Sequence, residues 1–328
     1  MNRAVSKLAR IALGLTLALA MLLAPRATHA DDFPSRPIKL LVGAPPGGTT
    51  DTIARAISEP MAAVLKQPVL VENRPGAGGN IAAEAVARSA PDGYTLLMSF
   101  SSHTINASLY PKLPYDPAGD FTAITKVATV PSLLVGNPKL PADDLKALIE
   151  LAKARPDKLT IAIGGIGSSL HLAGEQFKLM TGTRLLNVPY KGTAPALTDV
   201  LGGQVDLMFI SLVTGAEQVR AGNLRAYGVT SAQRQPAFPD LPAIDEIVPG
   251  FESSAWFGVF APARLSPAIT ETLHSAIVAS LADPTLRQRL TTEGATPVGD
   301  TPDEFAAFVR HDIERWAPIV KASGATPD

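Results

Sequence analysis

The sequence predicts an α/β protein of two lobes joined by two crossover strands, with a ligand cleft between the lobes. Two observations carry this. Short apolar runs recur along the chain, several of them closed by a glycine-rich turn that opens an amphipathic helix. In addition, two long extended apolar segments, 123–137 with Pro131 inside it and 251–262, suit crossings between lobes better than surface loops. The chain therefore leaves one lobe, builds a second and returns, which assigns residues 31–131 plus 256–328 to lobe 1 and 132–255 to lobe 2. Such a molecule favours closure around a small ligand.

The first unit is the stretch 41–55. Ile38, Leu40, Leu41 and Val42 read as a buried strand, stopped by Pro45, Pro46, Gly47 and Gly48. Thr49 or Thr50 then caps a helix with the apolar stripe Ile53, Ala54, Ile57 and Met61, and Asp51 complements its dipole. A glycine turn before a helix start leaves N–H groups free to meet a carboxylate or phosphate. Gly43 and Gly48 have the gap of a phosphate loop, but Thr49 stands where its lysine is required, so that chemistry is excluded.

A second strand is predicted over 68–72, followed by the glycine turn 73–80 and a helix over 81–89. A third strand, 94–100, runs into the polar cluster Ser101, Ser102, His103, Thr104 and Asn106, where a ligand-facing loop belongs in an open α/β sheet. In the second half a helix is predicted over 142–154 and a strand over 159–163. Gly164, Gly165, Gly167, Ser168 and Ser169 then repeat the turn-and-cap device. It is neither a G-x-G-x-x-G fingerprint, with Leu170 in the last position, nor a G-x-S-x-G elbow. The strand ending at 189 leads through Lys191 and Gly192 to Thr193, Ala194 and a helix over 195–201 that Gly202 and Gly203 stop. A strand over 205–210 carries Asp206, and a further helix and the strand 225–230 complete this lobe. Beyond Ser266 two amphipathic helices are predicted, one with Leu273, Ile277 and Leu281, the other with Phe305, Val309, Ile313, Trp316 and Val320.

Arg3, Lys7 and Arg10, the apolar run 11–23 and the small residues before Asp31 read as a secretory signal over 1–30. Without its four basic residues the chain holds 25 basic and 30 acidic groups, a charge of about −5 that argues against nucleic acid. There are no cysteines, so disulfides, thiolate metal sites and a lipid-anchored cysteine are excluded. The four histidines beyond the signal show no H-x-H or H-E-x-x-H spacing, and Ser169 and His171, two apart on a helix, face different directions. Neither a metal site, a cofactor nor catalysis is expected.

The blocks 45–55, 71–97, 106–117, 188–209 and 256–263, in that order, resemble the extracytoplasmic solute receptors of tripartite tricarboxylate transporters, the Bug proteins of Bordetella. The signal segment leads to the expectation of a periplasmic location, and a monomer is expected. The resemblance implies a type II periplasmic binding protein fold. It also implies a small carboxylate ligand, whether a di- or tricarboxylate, an acidic amino acid or an aromatic acid, and delivery to a two-component membrane permease. It places carboxylate-binding main chain at Pro46, Gly47, Gly48, Thr49 and Thr50, at Gly167, Ser168 and Ser169, and at Thr193 and Ala194. Ser101, Ser102 and Asn106 line the same cleft on this reading, and Asp206 orients lobe 2 groups or a ligand amine. Asp206 needs hydrogen-bond partners if buried and is expected to find them in a neighbouring loop. An alternative use of the same receptor is a sensor that presents its loaded solute to a signalling protein.

Overall fold

The structure, a computed structural model, describes residues 33–165, 167–292 and 294–327. The predicted signal, 1–30, lies outside the described residues. Six strands form the first sheet: β1 (Ile38–Val42), β2 (Val69–Asn73), β3 (Thr95–Phe100), β4 (Phe121–Val130), β10 (Ala255–Pro262) and β11 (Thr296–Pro297), in the order β11-β4-β10-β3-β1-β2. Five form the second: β5 (Ser132–Gly136), β6 (Thr160–Ile163), β7 (Leu186–Pro189), β8 (Leu207–Ser211) and β9 (Arg225–Val229), in the order β7-β6-β8-β5-β9. The two share a plan. β1 pairs in parallel with β2 and β3, as β6 does with β7 and β8, and a strand at the hinge, β10 or β5, adds antiparallel to the third of these. The parallel strands are nearly continuous apolar runs because helices cover both sheet faces. In β1 only Lys39 is exposed.

Each parallel strand leads into a helix at the same sheet rim. These are α1 (Thr49–Leu65), α2 (Asn80–Ala87) and α3 (Ser102–Leu109) in lobe 1, then, after α4 (Leu145–Ala154), α5 (Ser169–Thr181), α6 (Thr193–Gly202) and α7 (Leu212–Arg220) in lobe 2. Ile53, Ala54, Ile57 and Met61 are the buried stripe of α1. Its cap is Gly48, in extended conformation and without a side-chain bond, so Thr49 and Thr50 are the first two helical residues and their hydroxyls do no capping. In α5 the hydroxyl does cap, with Ser168 accepting from the His171 N–H at 3.2 Å. The predicted loop after β3 is a helix, because Ser101 is already helical and its main-chain oxygen accepts from the Thr104 and Ile105 N–H groups.

Pro131 separates β4 from β5 at the first crossing. The second crossing is shorter than the apolar segment suggested. Its residues 255–262 are the core strand β10, paired on both sides within lobe 1, because Trp256, Val259 and Phe260 bury fully there. The C-terminal part holds three helices rather than two, α8 (Pro267–Ala282), α9 (Pro284–Thr292) and α10 (Pro302–Ser323), with β11 before the last.

Helix α10 touches both lobes. Phe305 and Val309 enter the lobe 1 core with Trp256 and Phe260, while Trp316, Ile319 and Val320 pack with Ile105 of α3 and Leu172 of α5. Each such side chain contributes about 1.5–3 kcal/mol on full burial. Between these groups lies Asp312, fully buried. One of its oxygens accepts from Thr104 Oγ1 (2.6 Å), Trp256 Nε1 (3.0 Å) and Trp316 Nε1 (3.2 Å), the other from Arg315 (2.6 Å).

Candidate ligand-binding site

A cavity of about 250 Å³ lies between the sheets at the helix-start rim. Lobe 1 lines it with Thr49, Thr50, Phe100, Ser101 and Phe257, lobe 2 with Ser132, Ser169, Leu170 and Ser211, and Val130 and Ala255 close it at the hinge. No charged side chain is among them. Four helices begin here, α1, α3, α5 and α7. The first main-chain bond of α1 is made by Thr52, so the N–H groups of the three residues before it have no partner in the helix. The hydroxyl oxygen of Ser101 accepts from the Trp256 N–H at 3.0 Å, which leaves its proton for the cleft. An anion in this space meets positive helix ends and hydroxyl donors, with no cation needed.

Both glycine turns are held from beneath. In lobe 1 the Gly47 N–H donates to Asp51 at 2.9 Å, and Asp51 also accepts from Arg55 (3.0 Å) and from Asn73 (2.9 Å) at the end of β2. Asn73 further ties the carbonyl of Ala44. Burial of Asp51 would raise its pKa, but bonds from Arg55, Gly47 and Asn73 outweigh that and hold it below the usual carboxylate range. In lobe 2 the Gly167 N–H donates to His171 Nδ1 at 3.0 Å, and His171 Nε2 lies 3.3 Å from Glu175. Glu175 accepts from Lys178 and from Asn187 of β7, each at 2.7 Å. Burial opposes ionisation of Glu175, yet His171, Lys178 and Asn187 bring its pKa down to about 2.

Of the residues expected in the site, Thr49, Thr50, Ser101 and Ser169 line this cavity. Ser102, Asn106, Gly167 and Ser168 line a neighbouring one of about 360 Å³ with Tyr110 and Gly78. Pro46, Gly47 and Gly48 form the exposed turn before α1. Thr193 and Ala194 start α6 beside Gly164 and line neither cavity. Asp206 is a correction. It precedes β8, whose far end, Ser211, is the one at the cleft, and it instead accepts from the Thr160 N–H and Oγ1, both at 2.8 Å, at the opposite sheet edge. Ser132 and Ser211, register partners across β5 and β8, also line the cavity, and sequence reasoning missed them. The signal for Ser211 was present, since it is a hydroxyl at the carboxyl end of a parallel strand. His103 lies in the lobe 1 core against Phe260 and Phe121, 2.8 Å from the Pro117 carbonyl, and burial pushes its pKa down to about 4. Among the described residues no group of three histidine or acidic side chains is placed to hold a metal.

Two α/β lobes of this topology, closing a cleft lined by helix starts, define a solute-binding protein of the type II periplasmic binding fold. The chain belongs to the tripartite tricarboxylate transporter family of receptors, whose sequence profile matches residues 53–325. It is 42% identical to the protein BugT of Bordetella pertussis, over 95% of this chain and 96% of that one. Among solved structures, an R. palustris protein with adipate is 37% identical with a TM-score of 0.75, covering 90% of this chain and all of that one. MatC from Rhodopseudomonas palustris with bound malate is 36% identical with a TM-score of 0.71, covering 88% of this chain and all of that one.

Proposed function

We propose that the protein captures a small mono- or dicarboxylate with a short apolar body in the periplasm and delivers it to a two-component permease of the tripartite tricarboxylate type. The observation that carries this reading is the cleft that has no charged side chain among its described lining residues, where helix starts from both lobes supply the donors and Phe100, Val130, Leu170 and Phe257 supply an apolar wall. An acidic amino acid would bring an ammonium group with no carboxylate in the lining to pair with it, and a tricarboxylate would bury three charges without a cation. Both are disfavoured. Adipate in one relative fits this class, and malate in the other shares its two carboxylates.

The test is a thermal-shift series on protein refolded to remove bound solute, with adipate, malate, benzoate, glutamate and citrate. A ligand at about 100 times its Kd adds about 2.7 kcal/mol, a shift of several degrees. Shifts with adipate, malate or benzoate and none with glutamate or citrate are expected. A shift with glutamate or citrate alone overturns the ligand class, and no shift with any of the five overturns the carboxylate reading.

A further inference from the structure

We infer that His171 is the positioning residue of the lobe 2 half of the site, holding the Gly167 turn through an unprotonated Nδ1 so that acid releases the turn and weakens binding. This rests on reading 167–169 as part of the ligand site. The main-chain N–H of Gly167 is a donor, so Nδ1 of His171 must be the acceptor. The neutral ring then carries its proton on Nε2, which faces Glu175. A second proton can only go to Nδ1, where it would meet the Gly167 N–H head on, and the bond becomes a donor–donor contact. The same turn places Ser169 and Leu170 in the main cavity and Gly167 and Ser168 in its neighbour, so its release disturbs both.

The surroundings of the ring leave the change to His171 itself. On its own helix the charged neighbours are Glu175 and Lys178, already paired, and Glu175 stays ionised well below the range in which imidazoles titrate. From β7 comes Asn187, which does not titrate. β6 and β8 carry no titratable residue, and α3 offers His103, which is turned to the Pro117 carbonyl. α10 meets α5 through Trp316, Ile319 and Val320 around Leu172, and its Asp312 and Arg315 pair with each other. The lobe 1 turn is built without this sensitivity, because it donates to the carboxylate of Asp51, which is held below the usual carboxylate range.

Lobe 1 also supplies the control. Asp51 reaches Gly47 over the same i to i+4 span, so an Asn at 171 can accept from Gly167 through its amide oxygen without titrating. Adipate and malate affinities of the wild type, His171→Asn and His171→Ala are measured by calorimetry from pH 8 to pH 5. At pH 8, His171→Asn is expected to bind within about threefold of wild type and His171→Ala at least tenfold more weakly. Towards pH 5 the wild type is expected to lose severalfold more affinity than His171→Asn. Protonation of the ligand affects both proteins equally, so the difference belongs to the imidazole. Equal acid losses in wild type and His171→Asn overturn the inference.

A second arm needs no ligand. In ¹⁵N spectra of the free protein the ring is expected as the Nε2–H form at pH 8, with the Gly167 amide signal moving on the ring's titration curve. A Gly167 amide that stays fixed while the ring titrates overturns the inference. Should neither adipate nor malate bind the wild type, the ligand-class question returns to the thermal-shift panel, and this arm alone decides the positioning role.

Discussion

The turns before α1 and α5 are built to one plan with different chemistry at its centre. Each has a glycine at positive φ, Gly47 at 80° and Gly167 at 73°, whose N–H goes to a buried side chain four residues on. Each side chain belongs to a network with a cation of the same helix, Arg55 or Lys178, and an asparagine of the neighbouring strand, Asn73 or Asn187. In lobe 1 the acceptor is the carboxylate itself. In lobe 2 an imidazole is inserted between the glycine and the carboxylate. The difference teaches that one backbone device can be made indifferent to pH or dependent on it by a single residue, while the cavity between the turns stays free of charge.

The largest effect that would break the likeness is Asp51→Ala. It strips an acceptor from the Gly47 N–H, from Asn73 and from Arg55 at a site only 3% exposed. A loss of about 3 kcal/mol is expected in urea unfolding. His171→Ala removes a neutral ring and leaves Glu175 with Lys178 and Asn187, so its cost is expected to be about 1–2 kcal/mol. Equal losses would mean that the two networks carry the same load and that the charge at Asp51 is incidental.

Much of this plan was legible in the sequence. Apolar runs stopped by glycine, then a helical stripe, located the β–turn–α units, and Pro131 marked the crossing. The networks beneath the turns were not legible, because Asn73 and Asn187 lie 22 and 12 residues from their partners and only the parallel pairing of β2 and β7 brings them in. Asp206 was misplaced for a directional reason. An apolar run identifies a strand, and the end that meets the cleft follows only once its direction relative to its neighbours is known. β8 runs parallel to β6 and offers its last residue, Ser211, whereas antiparallel β5 offers its first, Ser132. The polar cluster 101–106 combines site and structure: Ser101 lines the cavity and also accepts from Trp256, Asn106 lines the neighbouring one and donates to Asn80, while His103 and Thr104 are bonded to Pro117 and Asp312.

The histidines sharpen the comparison at the level of stability. His171 sits at the rim, but His103 is inside lobe 1, with burial holding its pKa at about 4 despite the bond to Pro117, against 6.5 for the free side chain. Between those values the unfolded chain binds a proton that the folded chain refuses, so stability falls as pH drops through this window and is fully present above it. The full loss is about 3 kcal/mol at pH 4 and below. Thermal melts from pH 7 to pH 4 should show it, and His103→Phe should flatten that slope while costing about 1 kcal/mol at neutral pH for the bond to Pro117. An unchanged acid slope in His103→Phe would move the effect to other groups.

The glycines give the smallest difference and the most informative one. Gly47→Ala and Gly167→Ala both force a side chain into left-handed backbone at about 1–2 kcal/mol. A Cβ at Gly47 meets nothing within 4 Å, whereas one at Gly167 comes within 2.8 Å of Leu109 Cδ2. Leu109 ends α3 of lobe 1, so that contact exists only when the lobes are together. If the free protein opens, the two variants should melt within about 1 kcal/mol of each other, and the excess cost of Gly167→Ala should appear as weaker ligand binding. If the lobes stay together without ligand, the excess should appear in the melt and leave the affinity difference small. The pair of measurements therefore reads out how far the lobes separate before a solute arrives.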